Sequence, residues 1–197
     1  MEGGLKFVDV NGDNIIDARD RVPIGSPFPH FLWGFNNTLR YKNWDLNILA
    51  QGQQGGQLVN GDHNYNEARR FNKNVNNDNR WVSPMFPGDG KTPYFTNGEN
   101  WMLTDYVVES ATYASLRNVI LGYKVPEAKS LKRFGINGLR VYASAENLLY
   151  LMGSNYRGIN PEARSTSSEY ASPLINGYQR GAFPLMRTYT FGIDINF

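Results

Sequence analysis

The chain has 197 residues, enough for one domain with a real core, and its 20 Lys plus Arg stand against 18 Asp plus Glu for a net charge of +2. So even a balance gives no footing for nucleic-acid or polybasic-membrane binding, and with no cysteine neither a disulfide framework nor a thiolate metal site can form. The 20 glycines, 12 tyrosines and 11 phenylalanines suit strands, turns and wet loops better than helices.

The opening stretch, MEGGLKFVDVNGD, has neither a charged n-region nor an apolar h-region, so no secretory signal peptide is expected there. No run anywhere approaches the roughly 18 apolar residues of a membrane helix. Residues 1–29 read as a loop segment whose centre, DVNGDNIIDARD at 9–20, sets oxygen-bearing side chains at loop positions 1, 3, 5, 9 and 12: Asp9, Asn11, Asp13, Asp17 and Asp20. Calcium takes six to eight oxygens, and this spacing folds them around one centre with the main-chain carbonyl of Ile15 at position 7. Asn14 stands at the sharp turn where glycine is usual, and Asn tolerates the left-handed conformation needed. Asp20 replaces the usual Glu at position 12, which shortens the bidentate reach and weakens affinity. The reading is a structural calcium, with magnesium second; an Asx-rich turn without an ion is the plain alternative.

Five strands follow. In the first, 30–41, Phe31, Trp33, Phe35, Leu39 and Tyr41 oppose Gly34, Asn36, Thr38 and Arg40; in the second, 44–52, Trp44, Leu46, Ile48 and Ala50 oppose Asp45, Asn47 and Gln51. Only Lys42 and Asn43 separate them, a two-residue hairpin in which Asn can be left-handed. Tyr41 and Trp44 then pair on one side, so the two apolar faces coincide. The third strand, 112–124, has Val119, Leu121 and Tyr123 in phase and a less regular upper half. In the fourth, 138–149, Leu139, Val141, Ala143 and Ala145 oppose Arg140, Tyr142, Ser144 and Glu146; in the fifth, 188–197, Tyr189, Phe191, Ile193, Ile195 and Phe197 share a face.

The connections alternate in length. Strands one and two are joined by two residues, and three and four by VPEAKSLKRFGIN, with room for one helical turn; loops 53–111 and 150–187 are long. Short turns at one end and long loops at the other is the layout of an outer-membrane barrel. Tyr41, Trp44, Tyr123 and Phe197 sit at the short-turn end, where an aromatic girdle belongs, while Arg40, Asp45, Asn47, Gln51, Arg140, Glu146 and Asp194 suit a watery lumen. A soluble calcium-binding β-sandwich, such as a carbohydrate-binding module, is the competing class. The two differ over Trp33 and Trp44, which face lipid in a barrel and lie between sheets in a sandwich. The chain's last strand also carries the pattern of a barrel-assembly signal: polar Thr190, Gly192, then Ile195 and the terminal aromatic Phe197. Five strands cannot close a membrane barrel. The chain is therefore expected to be the C-terminal part of a larger one, which accounts for the missing signal peptide.

Chemistry-bearing constellations are few. His30 and His63 read as surface residues, and no phosphate-cradling glycine motif, nucleophile elbow or helical zinc pair occurs, so no enzyme activity is expected. The asparagine-rich stretch 60–79 reads as a solvated loop with a short helix near 66–71. With Trp81, Tyr94 and Trp101 nearby, its aromatic faces and amides suit contact with a sugar or peptide.

Taken together, LKFVDVNGDNIIDARDRVPIGSPFPHFLWGFNNTLRYKNWDLNILAQGQ, RWVSP, YVVESATYASLRNVILGYKVP, GINGLRVYASAENLLY and RTYTFGIDINF resemble the C-terminal region of SusC/RagA-family TonB-dependent outer-membrane transporters. The DVNGD loop, the following DR and IGSPFPHF are the strongest cue. The resemblance implies an all-β fold in which antiparallel strands form the C-terminal part of a 22-stranded transmembrane barrel with long extracellular loops. It also implies an N-terminal plug, energy through TonB, a SusD-like surface lipoprotein as cap, and oligosaccharides or peptides as substrates.

Overall fold

The computed structural model describes residues 2–61, 79–94, 104–126, 132–163, 177–179 and 181–197. Among these residues eight strands are present: β1 (Phe31–Tyr41), β2 (Trp44–Gln54), β3 (Gln57–Asn60), β4 (Val108–Ser110), β5 (Tyr113–Val125), β6 (Gly138–Met152), β7 (Tyr178–Gln179) and β8 (Thr188–Asn196). The long ones make a five-stranded sheet in the order β1-β2-β5-β6-β8, every pair antiparallel. Their lengths of 11, 11, 13, 15 and 9 residues meet or exceed the roughly 9–11 residues a tilted membrane-crossing strand needs. No described helix is long and apolar enough to cross a membrane.

Alternation along each strand and register across them combine into rows. Leu39, Leu46, Leu121, Ala143 and Phe191 are successive partners across all five strands, as are Tyr41, Trp44, Tyr123, Val141 and Ile193. The rings of Trp44 and Tyr123 lie 4.7 Å apart, which fixes both on this face. The opposite face carries Arg40, Asp45, Gly122, Tyr142 and Gly192 in one row. The uneven upper half of β5 has a definite cause: a bulge at Arg117 shifts the register on both sides. Above it Leu116 pairs with Ala50 and Leu149, so the apolar face continues with its phase reset by one residue.

Tyr41 and Trp44 pair across the two-residue turn as expected. The left-handed residue is Lys42 (φ 53°) and not Asn43. A left-handed non-glycine residue costs about 1–2 kcal/mol. The Lys42 ammonium over the Tyr41 ring, at 5.3 Å, and the bond from Lys124 N–H to the Asn43 carbonyl, at 2.8 Å, compensate in part.

The chain divides into two compact units. One contains Phe28–Gly56, Ser110–Glu162 and Phe183–Phe197, and with them the long strands; its sheet is a single layer. Its apolar face stays open to the surroundings, with Phe191 at 82%, Phe35 at 52% and Trp44 at 49% exposure. A sandwich would bury Trp33 and Trp44 between sheets, and here both are exposed. The other unit comprises Met1–Pro27, Gln57–Glu109 and Ala163–Ala182. Short strands organise it, in the order β4-β3-β7, and β3 and β7 run parallel through Val59–Tyr178 and Asn60–Gln179. Leu58 and Val107 are buried there, and the Asn60 amide donates to both carboxylate oxygens of buried Glu109 at 3.1 Å. These three strands lie within the stretches read as loops 53–111 and 150–187. The helix expected near 66–71, His63 and Trp101 fall outside the described residues.

Candidate functional site

Three groups of residues carry chemistry. The first is the acidic loop. Asp9 accepts the N–H groups of Gly12 (2.6 Å) and Asn14 (2.7 Å), Asn11 accepts from Asp13 (2.9 Å), and Asp13 from Ile15 (2.9 Å). Gly12 and Asn14 are left-handed, at φ 77° and 65°, so Asn14 meets the turn requirement that glycine would otherwise fill. Asp17 caps a 3-10 turn, Ala18–Asp20, and Asp20 accepts from Val10 (2.9 Å) and Asp17 (2.8 Å). Donors from the Arg19 side chain and backbone hold the Asp17 carboxyl below the usual carboxylate range, and the N–H groups of Asp17 and Val10 do the same for Asp20. The Arg19 guanidinium bridges Asp13 at 2.8 Å and Asp17 at 2.9 Å. The loop's backbone is thus turned by its own side chains. Its carboxylates are spent on N–H groups and on Arg19, and no three acidic or histidine side chains among the described residues converge to hold a metal.

The second group is the polar face of the long sheet. Arg140 on β6 forms a fork with Asp45 on β2, Nε to Oδ1 at 3.0 Å and Nη2 to Oδ2 at 2.6 Å, and reaches Asp194 on β8 through Nη1 at 3.0 Å. To meet Asp45 it crosses β5 at Gly122, where an added Cβ would overlap the guanidinium. Asn47 donates to Thr38 at 2.9 Å. At the bulge, Arg117 pairs with Glu162, donates to Asn147 at 3.1 Å and lies 5.6 Å from the Tyr150 ring, which stacks on Tyr113 at 5.9 Å. Asn147 is itself left-handed (φ 51°) and donates to the Met186 carbonyl at 3.1 Å. Sequence reasoning placed Asp45, Arg140 and Asp194 on one face. It missed Arg117, because the bulge breaks the alternation that would have assigned it, and Glu162, because it lies 45 residues away.

The third group is the terminal strand. Thr190 pairs with Ser144, Gly192 with Tyr142 and Ile195 with Leu139; Phe197 follows the last pair at 82% exposure. Of the aromatics set beside the asparagine-rich loop, Trp81 and Tyr94 lie 5.9 Å apart edge to face.

No family model matches the chain. Among curated relatives, TonB-dependent receptors P3 and P26 of Formosa agariphila are each 33% identical to it, over 197 and 205 residues; both matches take in 99% of this chain, and 19% and 20% of the receptors. The TonB-dependent receptor SusC of Bacteroides thetaiotaomicron is 23% identical over 195 residues, 97% of this chain and 17% of that protein. The chain thus spans about a fifth of the length of the curated relatives it matches. Among solved structures, the RagAB peptide transporter superposes with a TM-score of 0.61 at 23% identity, over 82% of this chain and 16% of that one. The open-open state of the RagAB peptide importer gives 0.59 at 22% identity, over 86% and 17%. These likenesses identify the antiparallel sheet as a segment of that barrel fold.

Proposed function

We infer that this chain, which belongs to the TonB-dependent receptors of the SusC/RagA type, supplies the C-terminal strands of an outer-membrane barrel that imports nutrients too large for porins. One observation carries the reading: a single antiparallel layer exposes a continuous apolar face on one side and carries an ion-paired polar face on the other. In water that apolar face would be a liability; against lipid it is the required surface. The polar face lines the lumen, and the free edges of β1 and β8 join the remaining strands of the receptor. The part played is transport and not catalysis.

With Phe197 at the periplasmic interface, β8 runs inward and β6, β5, β2 and β1 alternate from it. The short turns at 42–43 and 126–137 are then periplasmic, and residues 1–29, 55–112 and 153–187 are outside. Those outer segments are where a SusD-like lipoprotein would dock, while TonB acts through parts of the receptor beyond this segment. RagAB is described as a peptide importer, and peptides or oligosaccharides are the substrate classes proposed here. Thr190, Gly192, Ile195 and Phe197 act as the barrel-assembly signal. The acidic loop takes up calcium, or magnesium less well, through Asp9, Asn11, Asp13, the Ile15 carbonyl and Asp20, with Asp17 direct or through water, once Arg19 swings off Asp13. Its task is to order the approach to β1.

The orientation is tested by single cysteines at Asn11 and Lys42 in the full-length receptor with its other cysteines removed. On intact cells a membrane-impermeant maleimide should label position 11 and spare position 42 until the outer membrane is opened. Labelling of position 42 on intact cells refutes the arrangement.

A further inference from the structure

The apolar face of β8 does not define where β8 belongs. Tyr189, Phe191, Ile193 and Ile195 are all large and apolar, so a slip of two residues along β6 would leave every one of them on the same side, three still opposite members of the Leu139, Val141, Ala143 and Ala145 row and only the end one opposite Asn137 or Asn147. A slip of one is excluded because it turns each side chain to the other face, but a slip of two is not. Something on the polar face has to choose among the registers that alternation permits.

That face offers a close fit. Tyr142 on β6 stands directly opposite Gly192 on β8 and Gly122 on β5. A Cβ built on Gly192 would overlap the Tyr142 ring at Cζ, Cε1 and Oη, so the end of the ring occupies the space where a side chain is missing. Arg140 stacks over the same ring at 5.2 Å and holds Asp194, its direct partner on β8, at 3.0 Å. After a slip of two residues Tyr142 would oppose Thr190 or Asp194, whose side chains fill the space the ring needs. Arg140 would then oppose Asn196 or Gly192 and lose Asp194. A ring seated on a cross-strand glycine also occurs on the apolar face, where a Cβ on Gly52 would overlap Trp33.

We propose that Tyr142 and Gly192 form a ring-in-notch joint that sets the register of β8, with the Arg140–Asp194 pair as its second fixing point. Tyr142 is a positioning residue, and Gly192 serves as its notch. This deepens the assembly-signal reading and rests on it for context: the glycine of that signal is selected by a side chain of the neighbouring strand. The joint matters because any offset in β8 is passed to whichever strand of the receptor pairs with its free edge.

The test uses the full-length receptor refolded in detergent and scored by heat-modifiable gel migration, with register read by cysteine pairs on the apolar face. Val141→Cys with Ile193→Cys reports the observed register; Val141→Cys with Phe191→Cys or Ile195→Cys reports slips of two. Gly192→Val should lower the ratio of folded to unfolded barrel about tenfold, an overpacking effect, and move cross-linking from the first pair toward the others. Adding Tyr142→Ala to Gly192→Val should restore folding to the level of Tyr142→Ala alone, and Tyr142→Phe, which keeps the ring, should fold and cross-link as wild type. A folding defect in Gly192→Val that Tyr142→Ala fails to relieve, or unchanged cross-links, overturns the joint. The signal reading is judged apart, by Phe197→Asp: normal surface levels of that variant count against the signal, whatever Gly192 does.

Discussion

Arg140 makes two kinds of contact from one guanidinium, and they should differ in strength by a predictable margin. Its fork with Asp45 consists of two charge-assisted bonds, 3.0 and 2.6 Å long, between side chains only 26% and 19% exposed. The arm to Asp194 is a single bond of 3.0 Å to a side chain 52% exposed. Charged hydrogen bonds in partly desolvated places contribute about 1.5–3 kcal/mol, so a coupling of about 2 kcal/mol is expected between Arg140 and Asp45. Exposed pairs contribute about 0.2–1 kcal/mol, so about 0.5 kcal/mol is expected with Asp194. The perturbations are Arg140→Ala, Asp45→Ala, Asp194→Ala and the two doubles, read by urea unfolding of the full-length receptor in micelles at low salt and analysed as double-mutant cycles. Raising ionic strength to about 1 M, where the screening length falls to about 3 Å, should erase the Asp194 coupling and leave most of that with Asp45. Equal couplings, or neither above about 0.5 kcal/mol, would refute the fork as the principal tie across β2, β5 and β6.

Three further outcomes are expected. In the acidic loop, Asp13→Ala in the full-length receptor should abolish the difference in thermal midpoint between calcium and chelator; a wild type without that difference reduces the loop to an Asx turn. Asp89 accepts from the N–H groups of Thr92 (2.7 Å) and Lys91 (2.8 Å), which hold its carboxyl below the ordinary 3.8. A depressed carboxyl stabilises above its unfolded value and loses that contribution as pH falls through the lowered one. Exchange protection of the Thr92 N–H, corrected for intrinsic rate, should therefore be constant above pH ~4 and fall below it; constancy down to pH ~2 would contradict the assignment. Phe197→Asp should cut surface levels of the receptor, measured by whole-cell immunodetection, and normal levels would remove Phe197 from any assembly role.

The long strands were legible because their signal is periodic. Tyr189 to Ile195 alternates cleanly and Phe31 to Tyr41 does so apart from Leu32 and Asn37, and the structure bounds β1 and β8 at Phe31–Tyr41 and Thr188–Asn196. The same reasoning registered β5 as irregular without a cause, since a bulge at Arg117 appears in sequence only as a phase error. Strands of four, three and two residues give no alternation to detect, which is why β3, β4 and β7 read as loop. Parallel pairing of β3 with β7 is likewise invisible, because Val59 and Tyr178 are brought together only by the fold. At the sites, residue types could be read but partners could not. Asp45, Arg140 and Asp194 fell on one face by parity, yet the Arg140–Asp45 pair depends on Gly122 leaving a path across β5. Gly192 was legible as part of a terminal pattern, and only the register shows whose ring it accommodates.

The central claim is that the exposed face of this sheet meets lipid. Trp33 and Trp44 stand on it at 37% and 49% exposure. Reconstituting the full-length receptor into bilayers with brominated acyl chains puts a short-range quencher against the lipid-facing side of the barrel, and the variants at Trp33 and Trp44 isolate this face. The measurement is the quenched fraction of tryptophan fluorescence in wild type, Trp33→Phe and Trp44→Phe. Loss of a quenchable component in each variant is the predicted result; fluorescence from Trp33 and Trp44 that bromine leaves untouched would contradict the barrel.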